Sequence, residues 1–228
     1  DAQREWLLSE GGIAPTKVRV IYPWTDRTDL LSTPAPKPSG NRPLKILAYG
    51  RYAKVKNFAV LIIALRSFEP GEVKLTLFGD GPERHAFDAL AADLPHVEVM
   101  GPVSDPGAYL RDCDDVIIPS RFEALGLDAT EARMAARPVI VADVDGLPEQ
   151  AVHGGHVAPL GNAYDIARAI RWATRADLVR LGAEARQGVK GQHPQILRRW
   201  SQLIDEVETA RFHHTDAKNA PVWGRAAA

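Results

Sequence analysis

Cysteine is nearly absent from this sequence, net charge nearly vanishes and long apolar runs are missing; each absence removes a class of protein. Cys113 is the only cysteine, which excludes an internal disulfide and a metal site built on thiolates, and fits a reducing compartment. Twenty-eight lysines and arginines face 29 acids, for a formal net charge of -1, so no overall field would hold nucleic acid or an anionic membrane. No stretch approaches the roughly 18 apolar residues that a membrane helix needs, and no basic-then-apolar signal opens the chain. The cytoplasm is the expected location, with peripheral attachment of a full-length protein to a membrane left open. Asp1 stands where a start methionine would, which points to a trimmed or processed fragment.

What is present is a chain of 228 residues, 45% hydrophobic and 25% charged, enough for one sizeable core and an appendage. Short apolar runs at Leu44–Gly50, Val73–Gly79, His96–Met100, Asp115–Pro119 and Pro138–Ala142 read as strands. Between them, Asn57–Phe68, Pro82–Asp93, Pro106–Arg111 and Asp128–Ala136 read as helices. Strands with continuous apolar interiors, separated by helices, imply an α/β fold with a doubly wound, Rossmann-like parallel sheet. The flanks differ. Arg4–Glu10 reads as a helix and Lys17–Ile21 as a strand, and Ser32–Pro43, with four prolines, reads as an extended linker. Ala163–Thr174, Ala176–Val189 and Pro194–Arg211 read as amphipathic helices. The expected division is a leading segment and linker over 1–43, the α/β core over 44–175, C-terminal helices over 176–212 and a poorly ordered tail over 213–228.

Open parallel sheets bind ligands beyond the carboxyl ends of their strands. Four loops there carry unusual chemistry. Gly50 to Asn57 places Arg51, Lys54 and Lys56 ahead of a helix N-terminus, where cations are unfavourable unless an anion such as phosphate lies between; a solvated basic loop is the alternative. Gly79-Asp80-Gly81-Pro82 lacks the third glycine of a dinucleotide fingerprint, since Arg84 occupies that place, so NAD is disfavoured and a tight turn is the competing reading. Glu123 and Glu131 flank Gly126 and Leu127. On a single helix they would lie about 12 Å apart along the axis, so Glu123 is expected on the incoming loop and Glu131 in the first helical turn. Open amides between them would take an anion while the carboxylates take hydroxyls, as a nucleotide sugar requires. Against this, Asp128-Ala-Thr-Glu131 resembles a capping box. The fourth loop, Asp143 to Glu149, would line a ligand's far edge or form a plain surface turn. Asp112-Cys113-Asp114 matches a metal-binding Asp-x-Asp but precedes its strand, at the wrong edge of the sheet, and His153, His156, His213 and His214 lack a third ligand. No metal is assigned.

The blocks GRYAKVKN, FGDGPER, VEVMGPVSD and CDDVIIPSRFEALGLDATEARMAARPVIVADVDGLPE resemble, in order and spacing, the donor-binding half of the retaining glycosyltransferases of family 4, which have the GT-B fold. The resemblance covers about Lys45 to Ile170, and GGIAPTKVRVIYPWTD is similar to that family's crossing between its two domains. It implies transfer of a sugar from a nucleoside-diphosphate sugar to an acceptor, with retention and without a required metal or other cofactor. Catalytic roles would fall to Arg51 and Lys56 on the diphosphate and Glu123 on the transferred sugar. Donor binding would involve Gly50, Gly79, Gly81, Pro102, Val103, Ala124, Leu125, Gly126, Leu127 and, on the ribose, Glu131. The partners would be the donor, an acceptor of unknown class and a missing N-terminal acceptor-binding domain, onto which the apolar face of Pro194–Arg211 would pack; alone, this half would be inactive. A non-catalytic nucleotide-binding domain and a GT-B nucleotide-sugar epimerase are the alternatives. Two departures stand out: Ala124 and Leu125 replace a usual glycine and aromatic residue, and Arg137 is read as replacing a glycine whose positive φ would make the change destabilising.

Overall fold

The computed structural model describes residues 1–36 and 42–219, with side chains through residue 209. Part of the expected linker, 37–41, and the end of the expected tail, 220–228, lie outside the described residues. Two compact units are formed, one by Asp1–Val20 with Trp24–Lys190, the other by Ile21–Pro23 with the chain from Gly191 onward.

The first unit contains α1 (Ala2–Ser9), β1 (Leu44–Tyr49), α2 (Phe58–Ala64), β2 (Val73–Phe78), α3 (Arg84–Ala91), β3 (Val97–Met100), α4 (Pro106–Asp112) and β4 (Asp115–Ile118). It continues through α5 (Leu127–Met134), β5 (Val139–Ala142), α6 (Leu147–Ala151), β6 (Gly155–Ala158), α7 (Ala163–Ala173) and α8 (Leu178–Val189). The strands form one six-stranded parallel sheet in the order β3-β2-β1-β4-β5-β6. Central β4 and β5 are buried at every position, as expected of strands covered on both faces. The chain winds from β1 outward to β3, then returns to β4 and winds outward to β6. Right-handed crossovers therefore put α2 and α5 on opposite faces; α2 packs with α3 and α7, and α5 with α8.

All five expected strands form. A sixth, β6, and the short α6 before it were not expected, because Gly155-His-Val-Ala158 is a half-exposed edge strand without a continuous apolar run. Conversely, Lys17–Ile21 is not a strand: Pro15–Lys17 makes a single 3-10 turn, and the extended Val18 after it joins no ladder. Extended propensity needs a neighbouring strand to become sheet. The start of the expected linker is anchored: Thr28–Ser32 forms a 3-10 turn, Leu30 and Thr33 are buried, and the Thr33 carbonyl accepts from Arg186 Nη2. In the second unit, α9 (Gln192–Asn219) runs past the expected stop at Arg211. Its Leu197, Trp200, Ile204 and Val207 are exposed and, at spacings of three and four, share one stripe.

The C-terminus of α5 corrects the reading of Arg137. The positive φ, 53°, belongs to Ala136. The amide of Arg137 donates to Ala132 O (2.8 Å) and that of Ala136 to Arg133 O (3.0 Å), the two reversed bonds of a Schellman cap with Ala136 at its left-handed position. Arg137 keeps an ordinary backbone and buries its guanidinium. Because glycine takes this conformation without a Cβ penalty, Ala136→Gly is expected to stabilise the fold by about 1 kcal/mol, read as a higher urea midpoint at unchanged slope; a lower midpoint would show that the buried methyl matters more.

Candidate donor site at the sheet's reversal point

Strand order reverses between β1 and β4, which opens a crevice beyond their carboxyl ends. The first loop, after β1, lies on the second, after β2: Gly50 N donates to Phe78 O (3.1 Å) and Tyr52 N to Asp80 O (2.7 Å). A Cβ on Gly79 would come within 1.9 Å of Gly50 O. Gly79 is therefore required by close backbone approach, a sharper reason than a tight turn. Tyr52 locks the same corner from below, its hydroxyl donating to the carbonyls of Met100 (2.6 Å) and Leu77 (3.0 Å).

The loop after β1 ends in a 3-10 turn, Lys54–Lys56, followed by Asn57 at φ 59°. Buried Asn57 ties three loops together. Its Nδ2 donates to Leu160 O (3.0 Å), and its Oδ1 accepts from Arg121 Nε (3.1 Å). This turn delivers Lys56 into the crevice, where Nζ lies 2.6 Å from Glu123 Oε2 and 3.5 Å from Asp128 Oδ2. Burial works against the Lys56 cation, but attraction to Asp128 and Glu123 outweighs it and holds its pKa above the usual 10.5. Asp128 is displaced upward from its ordinary value by burial, with Lys56 pulling the other way and Glu123 adding to the rise. Two carboxylates thus share one cation.

Helix α5 begins at Leu127 with Gly126 at its N-cap and no side-chain cap, so the capping-box reading of Asp128 and Glu131 does not hold. Asp128 instead accepts from the Ala129 amide (3.0 Å). The amides of Leu125, Gly126 and Leu127 have no acceptor among the described residues and stand open at the helix's positive end. Glu131 falls at the start of the second turn, one position later than expected. It faces away from the backbone: Oε2 accepts from Tyr49 Oη (2.9 Å) and Oε1 from Thr25 Oγ1 (3.1 Å).

Tyr49 is a positioning residue that the sequence reading missed. It ends β1, stacks on Phe78 at 4.9 Å, and its pKa is pushed well above 10 by burial and the Glu131 charge, so it stays a donor. The fourth loop braces the third. Asp145 Oδ2 accepts from the Glu123 amide (3.1 Å), and a Cβ on Gly146 would meet Ala124 O at 2.0 Å. The loop's expected choice between ligand edge and surface turn thus gains a third answer, support of Glu123.

Residues 43–175 match the family described as group 1 glycosyl transferases. The chain belongs to that family. It is 30% identical over 200 residues to a D-inositol 3-phosphate glycosyltransferase of Pseudarthrobacter chlorophenolicus, covering 78% of this chain and 48% of that one. Identity to an uncharacterized glycosyltransferase of Methanocaldococcus jannaschii is 29% over 126 residues, covering 53% of this chain and 35% of the relative. The chain thus spans less than half the length of these two relatives. Among solved structures, a Rickettsia africae glycosyltransferase superposes with a TM-score of 0.78 at 21% identity, over 90% of this chain and 61% of that one. The Anabaena protein HepE, solved with UDP-glucose, gives 0.71 at 20% identity, over 90% of this chain and 61% of its own. These likenesses speak to the fold, which is the Rossmann-like α/β architecture of GT-B glycosyltransferases.

Within this member of the family, the crevice brings together Lys56, Glu123 and Glu131, with Gly50, Ala124, Leu125, Gly126 and Leu127 around them. Arg51 lies on the same loop, exposed, and its guanidinium has no partner among the described residues. Gly79 and Gly81 follow β2, and Pro102 and Val103 follow β3 at the sheet's edge, so they continue the row of strand ends away from Glu123. The Asp-x-Asp has other occupations at the opposite edge: Asp112 pairs with Lys45 (2.7 Å), and Asp114 takes Arg42 through both oxygens (2.7 Å each). His156 stacks on Trp172 at 4.2 Å. His213 and His214 lie beyond the residues whose side chains are described.

Proposed function

We propose that the crevice binds a nucleoside-diphosphate sugar and that the complete enzyme is a retaining, family 4 transferase that requires no metal. One observation carries this reading: the Lys56 cation lies half-buried between Glu123 and the N-terminus of α5, while Glu131 is held by Tyr49 and Thr25 on the β1 side. A diphosphate lying over Lys56 and the open amides would have the sugar at its Glu123 end and the ribose at its Glu131 end. Each Glu131 oxygen keeps a lone pair for a ribose hydroxyl after accepting one bond from the protein.

Transfer breaks the bond between the anomeric carbon and the diphosphate oxygen, and the electron pair leaves with the diphosphate. Arg51, Lys56 and the amides of Leu125 to Leu127 would neutralise that growing charge without having to reorganise. The acceptor hydroxyl bonds to the anomeric carbon and passes its proton to the departing diphosphate oxygen, and an acceptor-binding domain outside this chain would position it. The exposed stripe on α9 is the surface we assign to that domain.

Calorimetric titration of the chain with UDP, GDP and ADP tests the site. One nucleotide should bind saturably, and Glu131→Ala should weaken it by about 10- to 100-fold, the worth of one or two hydroxyl bonds to a charged acceptor. Absence of saturable heat with all three nucleotides would overturn a donor site on this chain.

A further inference from the structure

Glu131 is gripped at both carboxylate oxygens, and the two grips come from distant parts of the chain. Tyr49 Oη donates to Oε2 (2.9 Å) and Thr25 Oγ1 to Oε1 (3.1 Å). The terminal torsion of a glutamate is broad and roughly two-fold, so a single donor would leave the carboxylate plane loose. Two donors, one on each oxygen, define it. Both donors are themselves fixed. The Tyr49 ring stacks on Phe78 at 4.9 Å with 19° between the planes, and Phe78 is buried. The chain after Thr25 is tied down at three points: Leu30 is fully buried, Thr33 O accepts from Arg186 Nη2, and Pro34 O accepts from Arg137 Nη1 (2.9 Å). The course of this leading segment is therefore set by contacts other than the one to Glu131. Thr25 also lies outside residues 43–175, the span that matches the family, so that match gives it no part in the site.

We propose that Thr25 is a positioning residue for donor recognition: with Tyr49 it orients the Glu131 carboxylate so that the two oxygens take two adjacent hydroxyls together. The inference rests on the donor reading, in which those hydroxyls are the ribose 2′-OH and 3′-OH. A carboxylate has about four lone-pair sites, two on each oxygen. Tyr49 and Thr25 fill one on each, which leaves each oxygen one site for a hydroxyl. Without the Thr25 bond, Oε1 is open to water and the carboxylate turns about its terminal torsion. The nucleotide must then order the carboxylate as it binds, and that cost falls on the ligand that uses both oxygens. A nucleotide with only one of the two hydroxyls needs less order and loses less.

The test is calorimetric titration with UDP, GDP and ADP, followed by the 2′-deoxy and 3′-deoxy forms of whichever binds. On the native chain each deoxy form should bind about tenfold or more weakly than its parent, the worth of one hydroxyl bond to a charged acceptor. Thr25→Val keeps the branched shape and removes the donor. The parent nucleotide should then lose about tenfold and the deoxy forms less, so that the preference shrinks to about threefold or below. Thr25→Ser, which keeps the hydroxyl, should restore most of the preference. In a Glu131→Ala background, Thr25→Val should change nothing further, because it acts through that carboxylate. A segment that only shapes the fold would weaken all forms alike, in that background as well. Four outcomes would overturn the role of Thr25 and leave the donor site standing: equal losses for parent and deoxy forms, a preference that Thr25→Val does not change, additive losses in the double variant, or a native chain indifferent to one of the two hydroxyls. Failure of all three nucleotides to bind would overturn the donor reading and this inference together.

Discussion

Replacing Arg137 by methionine is expected to lower the unfolding free energy by about 3–5 kcal/mol, the largest stability effect of any single side chain outside the apolar core. Its guanidinium, 1% exposed, donates to five carbonyls: Leu110 (2.7 Å), Arg111 (2.8 Å), Pro34 (2.9 Å), Ala135 (3.0 Å) and Ala136 (3.4 Å). Leu110 and Arg111 are in the last turn of α4, and Ala135 and Ala136 close α5, so one cation satisfies the open carbonyls of two helix ends and meets the negative end of each dipole. The Pro34 bond pins the linker start to the same point. Methionine keeps the volume and removes every donor, leaving carbonyls buried without partners. Burial lowers the Arg137 pKa. Cys113 itself, pushed up to about 12 by burial, stays a thiol and cannot act as the counter-ion. The measurement is urea unfolding, with Arg137→Lys as the control that should recover part of the loss. A deficit under about 1 kcal/mol would mean that water fills the gap and that the clamp contributes little.

That clamp also shows where sequence reading stops. The strands and helices that place the crevice were legible, because buried parallel strands are continuous apolar runs and the glycines that stop them are local signals. Glu123, Lys56 and Glu131 were legible as acids and a cation beside strand ends. What they touch was not. Tyr49 reaches Glu131 across 82 residues and Thr25 reaches it across 106, and nothing in the composition of either neighbourhood announces the contact. Arg137 was misread for a related reason. Which residue of Ala136-Arg137 adopts positive φ depends on where α5 ends, and helix ends are the least certain feature of a sequence pattern. The edge strand β6 escaped because only one of its positions is fully buried; periodicity reports burial, and an edge has little.

Lys56→Met is expected to have the largest effect on the site, through two separable readouts. Under the donor reading, nucleotide affinity should fall by about 100-fold or more, since truncating the half-buried charge removes one contact to the diphosphate and leaves two carboxylates facing it. Stability should fall as well, in a pH-dependent way. In the native protein Asp128 already titrates above its ordinary value, through burial first, with Lys56 restraining the rise and Glu123 adding to it. Removing Lys56 lifts that restraint. A carboxyl whose folded-state pKa exceeds its unfolded value binds its proton more tightly when folded, so stability declines as pH rises from the ordinary carboxylate range through the raised value. The variant should therefore stay close to the native protein near pH ~3, below the ordinary aspartate range, where the Asp128 carboxyl holds most of its protons in both states. By pH ~8 it should lose about 2–3 kcal/mol, with the Asp128 carboxylate left without its cation. Adding Asp128→Asn to the variant should recover much of that loss, because the more buried member of the acid pair can no longer ionise. Urea unfolding at both pH values, on the two variants and the native chain, decides it. Equal destabilisation at both pH values, or a greater one in acid, would show that Lys56 does not hold the two acids in the folded state.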